Sequence, residues 1–236
     1  MRINKYLASC GVGSRRNCEI FVTQGKIKIN GHVVTDLATD VKNGDIVLLN
    51  GERIEPAQEH VYLMLNKPKG YVCTTNDEFG RKTVLQLLGE EYASRRIFPV
   101  GRLDYDTEGL LLLTTDGDLS NRITHPHNEV PKTYVAKVEG EVTEAELAKL
   151  RSGVVLDGVK TKRCKAKIKS FENNVSSVEI VITEGRNRQV RRMFDSINRE
   201  VIFLKRTAIG LLKLGGLYRG NVRKLSEKEV EYLKNI

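Results

Sequence analysis

The order of apolar and polar positions divides the chain into two stretches of different grain. Near the start, Ile3, Tyr6, Leu7 and Cys10 follow helical spacing, and Gly11 and Gly13 then break it. Ser14 is placed to cap a second helix with the apolar face Cys18, Phe21 and Val22, and Gly25 is placed to end it. Lys26-Ile27-Lys28-Ile29 alternates as a strand does, and Asn30-Gly31 is a hairpin turn leading into Val33-Val34. Lys42-Asn43-Gly44-Asp45 turns into a further strand, Ile46 to Leu49, and Asn50-Gly51 follows it. Two short helices and a small sheet in about 55 residues make a unit that can fold alone on a marginal core.

Glu52 to His60, with Pro56 inside it, reads as a linker, and beyond it the pattern becomes longer and mixed. Strands are expected at Val61–Asn66, Leu110–Thr115, Thr133–Val138, Cys164–Phe171, Val175–Thr183 and Val201–Arg206. Helices fit Val84–Leu88, Thr143–Leu150 and Gln189–Ser196, and Thr143 and Glu146 stand at capping-box spacing. Strands that follow strands directly, with helices inserted irregularly, predict an α+β fold rather than a βαβ array. The expected organisation is a small N-terminal α+β domain over 1–58 and a larger domain over 59–236.

Charge sharpens this division. Of the 236 residues 40% are hydrophobic, enough for a core, and 39 Lys+Arg against 30 Asp+Glu leave a net charge of +9. Such a balance favours a polyanionic partner, with nucleic acid the first candidate. The excess is uneven. Residues 1–31 carry six bases and one acid, 160–169 six bases and no acid, and 186–224 eleven bases and two acids. Residues 61–159 hold 12 bases against 15 acids, a slightly acidic body between basic islands. The longest aliphatic run, Leu110 to Leu113, is far too short for a membrane span. The opening MRINKYLASCGVGSRR closes its apolar stretch with Arg15 and Arg16 and fails as a secretory signal. Four cysteines without a CxxC suggest reduced thiols in a cytoplasmic protein.

Three segments carry candidate chemistry. Asp104-Tyr-Asp106-Thr-Glu108-Gly109 imitates the opening of a calcium loop, but Thr115 stands where the final acid is due. No GxxxxGK[ST] and no GxGxxG opening a helix occurs, and His125-Pro-His127 has no third ligand in register. The protein is therefore expected to need no cofactor and no metal. Asp104, in a loop before the Leu-rich strand and two residues from Arg102, suits either a nucleophile held ionised or a turn aspartate in an ion pair. Glu184 to Met193 packs four arginines into seven residues, which suits phosphate or carboxylate binding or a basic surface helix. Tyr134, on a strand among small and apolar neighbours, reads equally as a core tyrosine.

Taken together and in order, GRLDYDTEGLLLLTTDGD, KTYVAKV and EGRNRQVRRMF resemble the RNA pseudouridine synthases of the ribosomal RsuA/RluB type. The lead segment, RINKYLASCGVGSRR…GKIKINGH, resembles the small RNA-binding module named after ribosomal protein S-four, and NKPKGYVCTT fits the family's opening strand and loop. The resemblance implies a mixed, largely antiparallel catalytic sheet flanked by helices. It implies a catalytic aspartate at Asp104, an active-site tyrosine at Tyr134, and at Arg191 the arginine that pairs with the aspartate. With the charge map it implies RNA contacts by Arg2, Lys5, Arg15, Arg16, Lys26 and Lys28 in the front module. Arg102, Arg186, Arg188 and Arg192 would contact RNA from the larger domain. The implied reaction turns a uridine of ribosomal RNA, large-subunit RNA favoured, into pseudouridine, with the base flipped out of its stack. The implied partner is ribosomal RNA or a ribosomal precursor particle, met by a cytoplasmic monomer away from any membrane. Two other readings stand beside it. One is a non-catalytic RNA-binding or ribosome-assembly protein using the same basic surfaces. The other is a metal-dependent nuclease built on Asp104, Asp106 and Glu108, which chelators would abolish.

Overall fold

The computed structural model describes residues 1–57 and 59–236, grouped in two compact units. One comprises Met1–Val61, Glu90–Ile97 and Thr115–Gly117, and the other Tyr62–Gly89, Phe98–Thr114 and Asp118–Ile236. The expected domain boundary at residue 58 lies outside the described residues.

In the first unit, helices α1 (Ile3–Ser9) and α2 (Arg15–Thr23) precede a four-stranded sheet of order β2-β1-β3-β4. Its strands are β1 (Ile27–Ile29), β2 (His32–Val34), β3 (Val47–Leu49) and β4 (Glu52–Arg53). The Ser14 hydroxyl accepts the Asn17 N–H at 3.0 Å, and Gly25 follows α2 with a φ of +68°. Ile3, Leu7, Cys18, Val22, Ile27, Val41 and Val47 form the core, largely the positions whose spacing predicted the helices and strands. The stretch expected as a linker begins instead as a strand. Asn50 and Gly51 take φ of +51° and +91°, as a tight hairpin turn requires, and so Glu52 and Arg53 pair with Leu49 and Leu48.

The second unit is built on a nine-stranded sheet whose main path runs β11-β12-β8-β13-β7-β5-β15. In chain order its strands are β5 (Tyr62–Lys67), β6 (Phe98–Pro99), β7 (Glu108–Thr114) and β8 (Lys132–Glu139). A separate hairpin, β9 (Val155–Leu156) with β10 (Val159–Lys160), comes next. β11 (Lys165–Glu172), β12 (Val175–Ile182), β13 (Val201–Ile209), β14 (Leu212–Lys213) and β15 (Val222–Lys224) complete the sheet. β13 and β7 run parallel and the other pairs of this sheet antiparallel, so the sheet is mixed and largely antiparallel, as expected. All seven residues of β7 are buried, which explains the unbroken leucine run. β12 alternates half-buried and buried positions along its length, with Val178, Ile180 and Ile182 inward.

Four helices accompany the sheet: α3 (Gly117–Thr124), α4 (Glu144–Ser152), α5 (Gln189–Asp195) and α6 (Glu227–Lys234). At α4 the Thr143 N–H donates to Glu146 Oε2 at 2.7 Å and the Glu146 N–H to Thr143 Oγ1 at 3.3 Å, the capping box expected. The helix expected at Val84–Leu88 is a single 3-10 turn, Val84–Leu87. α3 and α6 are additional to the expected helices, although Ser226 and Glu229 show the same capping-box spacing at α6. One glycine permits the parallel join in the middle of the sheet. Gly109 lies beside Arg206 where β7 meets β13, with a φ of +107°, and a Cβ there would stand 2.2 Å from the Arg206 carbonyl oxygen.

Candidate active site

Asp104 sits in the loop that joins β6 to β7, and buried groups beneath fix that loop. Lys67, the last residue of β5, is fully buried. Its Nζ donates to the carbonyls of Pro68 at 3.1 Å, Asp104 at 2.9 Å and Thr107 at 2.9 Å, which uses all three of its protons. Burial lowers the pKa of this ammonium, while Cys73 and the carboxylates of Asp104, Asp106 and Glu108 act the other way. One residue earlier, the Leu103 N–H donates to Cys73 Sγ and the Cys73 thiol to the Leu103 carbonyl, both at 3.4 Å. The backbone on each side of Asp104 is thus held, and its half-buried side chain borders a cavity of about 400 Å³.

The same cavity is bordered by Tyr134, Arg102, Lys132, Arg188 and Arg206. Tyr134 faces it from the middle of β8, paired in register with Ile180 on one side and Arg206 on the other. Arg206 is 3% exposed, its Nε donates to the Leu110 carbonyl at 2.8 Å and its Nη1 lies 3.5 Å from the Tyr134 hydroxyl. Lys132 Nζ donates to the Val130 carbonyl at 3.0 Å, and burial, assisted by Arg206, pushes its pKa down to about 8. Asp104, Tyr134, Arg102, Arg186 and Arg188, five of the residues singled out in the sequence, therefore share one cavity wall. Lys67, Cys73, Lys132 and Arg206 were not among them. Parity was the available signal for Arg206, which occupies the inward position between Leu204 and Ala208 on β13.

The arginine-rich segment differs from expectation. The resemblance implied that Arg191 pairs with Asp104, but among the described residues its ion pair runs to Asp106, at 3.1 Å. The reason is its place in α5. Arg191 is buried, with Nη1 donating to the Val201 carbonyl at 2.6 Å and Nη2 to the Asp106 carbonyl at 3.3 Å. Arg188, with a φ of +47°, pairs with the same Asp106 at 3.3 Å. Arg186 and Arg192, both expected to contact RNA, fasten the β9–β10 hairpin. Arg186 donates to the carbonyls of Val159 and Lys160 at 3.0 and 3.1 Å, and Arg192 to Asp157 in the hairpin turn at 2.5 Å. Gln189 fixes this geometry. Its Oε1 accepts the Arg186 N–H at 2.9 Å and its Nε2 donates to Glu184 at 2.6 Å, which turns the chain back on itself before α5.

In the first unit Arg2, Arg15, Arg16, Lys26 and Lys28 are exposed, and Lys5 is half-buried. Arg2 pairs with Asp40 at 3.5 Å, Arg15 donates to Asn4 at 3.4 Å and Lys26 lies over the Phe21 ring at 5.5 Å. These contacts are weak enough for the side chains to turn towards an anionic partner.

Comparison with known proteins places the whole chain. The family profile described as RNA pseudouridylate synthase matches residues 61–196, and that of the S4 domain matches residues 1–47. The ribosomal large subunit pseudouridine synthase B of Bacillus subtilis is 45% identical over 99% of this chain and 95% of its own length. The dual-specificity RNA pseudouridine synthase RluF of Escherichia coli is 38% identical over 98% of this chain and 77% of its own. A crystal structure of a pseudouridylate synthase superposes with a TM-score of 0.72 at 33% identity, covering 99% of both chains. With more than half its length matched by the family profile and the Bacillus subtilis relative covered nearly end to end, the chain belongs to the RNA pseudouridine synthase family and carries an S4 domain at its front.

Proposed function

We propose that the protein isomerises a specific uridine of large-subunit ribosomal RNA to pseudouridine, in the cavity bordered by Asp104 and Tyr134. The observation that carries this reading is the carboxylate itself. Asp104 is half-buried at the wall of a 400 Å³ cavity, on a loop held from beneath by Lys67 and Cys73. The reaction breaks the bond from N1 of uracil to the sugar, turns the base and forms a bond from carbon 5 to the sugar. A proton leaves carbon 5 and N1 gains one, so no electrons are exchanged and no outside group is consumed. Asp104 supplies the nucleophile. Tyr134 packs on the base, and Arg191, through Asp106, steadies the loop that carries Asp104.

The substrate is ribosomal RNA or a precursor particle, met by a cytoplasmic monomer. The domain over 1–58 and the arginines around the cavity grip it electrostatically, so that binding weakens steeply with salt. The large-subunit assignment follows the similarity to the Bacillus subtilis enzyme. Mapping pseudouridines in ribosomal RNA tests the proposal. Loss of the gene removes one large-subunit site, the wild-type gene restores it, and Asp104→Asn, with RNA binding intact, lowers the rate by about a thousandfold or more. An unchanged map, or full restoration by Asp104→Asn, would contradict it.

A further inference from the structure

The cavity contains a cation that the reaction as described does not use. Arg206 is almost wholly buried, and its three donor groups are unequally committed. Nε is held by the Leu110 carbonyl, Nη1 makes a long 3.5 Å contact with the Tyr134 hydroxyl, and Nη2 is buried with no hydrogen-bond partner among the described residues. A buried guanidinium donor without an acceptor is uncommon, because desolvation of such a group goes uncompensated. The guanidinium also stands 6.0 Å from the centre of the Tyr134 ring, so tyrosine and arginine form one edge of the cavity. Leu204, Ile182 and Ile209 give the cavity wall an apolar part. The cations with exposed side chains, Arg102 and Arg188, border the cavity as well and are the ones within reach of a phosphate.

We infer that Arg206 is a specificity-determining residue that donates a hydrogen bond to a carbonyl oxygen of the uracil in the cavity, beside the Tyr134 ring. This rests on the function proposed above. A neutral carbonyl fits a buried donor in an apolar wall better than a phosphate does, since a phosphate would give up its hydration to reach it. Uracil presents two carbonyl oxygens, and an arginine, which donates only, accepts nothing from an amino group placed at the same point. Bonds to Leu110 and Tyr134 fix the fork in advance, so the base meets a pre-set donor rather than one ordered on binding. Lys132, also on the cavity wall, adds a second cation near Arg206.

The test measures isomerisation of large-subunit ribosomal RNA by the full chain in single turnovers at saturating RNA, per folded molecule, together with RNA affinity. For R206Q the expected result is a rate at least a hundredfold lower, with RNA affinity within about threefold of wild type. For R206K, which keeps charge and length and guards against a folding failure of R206Q, the rate falls at least tenfold, because a point ammonium on a flexible stem lacks the separated donors of the planar fork that reach Leu110, Tyr134 and the base at once. A purely structural role would lower thermal stability and leave the rate per folded molecule unchanged, and that result overturns the inference. So does a loss of affinity equal to the loss of rate, which would mark a phosphate contact. An active wild type with fully active R206K and R206Q refutes the role of Arg206 alone. A wild type that isomerises no uridine in any ribosomal RNA refutes the proposed function and this inference with it.

Discussion

The segment from Arg186 to Arg192 and the strand pair β8–β13 are both rich in cations, and they use them in opposite ways. In the first, every arginine is bound to protein: two to Asp106 and two to the β9–β10 hairpin. In the second, Arg206 has no acid beside it and, among the described residues, keeps its buried Nη2 without an acceptor, as Arg191 does its Nε, and Lys132 is desolvated on the cavity wall. The conspicuous motif is scaffold as much as contact surface, whereas the strand pair, plain in sequence, presents charge to the cavity. Burial does not separate the two, since Arg191 is 8% exposed and Arg206 3%. What separates them is whether an acid lies within reach. Asp106 stands at α5 and closes its arginines, while Arg206 finds only a carbonyl and a phenol.

The largest effect comes from breaking the join on which the second region depends. Gly109→Ala places a methyl 2.2 Å from the Arg206 carbonyl, in a backbone conformation that alanine resists. It should destabilise the protein by about 3 kcal/mol or more, read as a fall in the denaturant midpoint. Next, Arg191→Ala leaves the Val201 carbonyl without its donor and Asp106 with Arg188 alone. The expected cost is about 2 kcal/mol, and the rate falls further than the lost stability accounts for because the Asp104 loop is loosened. Arg186→Ala should cost about 1 kcal/mol or less, in keeping with a half-exposed side chain. Its signature is local, as faster amide exchange at Val159 and Lys160 with little change elsewhere.

The smallest effect concerns pH and separates Lys132 from the closed arginines. Its pKa is about 8 in the folded protein, below the ordinary lysine value of 10.5. Between these values the unfolded chain holds more protons, so this group's contribution to stability rises with pH from about 8 to 10.5, and its burial penalty is complete below 8. Lys132→Met should therefore gain most over wild type below pH 8, with the gap closing by pH 10.5. A gap independent of pH would mean that Lys132 is not desolvated.

Most of the fold could be read in the chain because its signals are local. The helical spacing of Ile3, Leu7, Cys18 and Val22, the Asn-Gly turns and the Thr143–Glu146 cap each act within a few residues, and each occurs as expected. Asp104 and Tyr134, marked by motif, border one cavity. What escaped depends on distant partners. Lys67 binds Asp104 and Thr107 some 40 positions on, and Arg206 meets Tyr134 across 72, distances at which spacing carries no information. The partner of Arg191 escaped for a finer reason. Asp104 and Asp106 stand two residues apart, and only the Val201 carbonyl, which fixes Arg191, decides between them.

The central claim is that isomerisation takes place on Asp104 in this cavity. It is tested most directly with large-subunit ribosomal RNA carrying tritium at carbon 5 of its uridines, mixed with purified full-length wild type or Asp104→Asn protein. Wild type should release tritium in step with pseudouridine formed at one position, while Asp104→Asn binds the RNA with similar affinity and releases none. Tritium released by Asp104→Asn at the wild-type rate would contradict it.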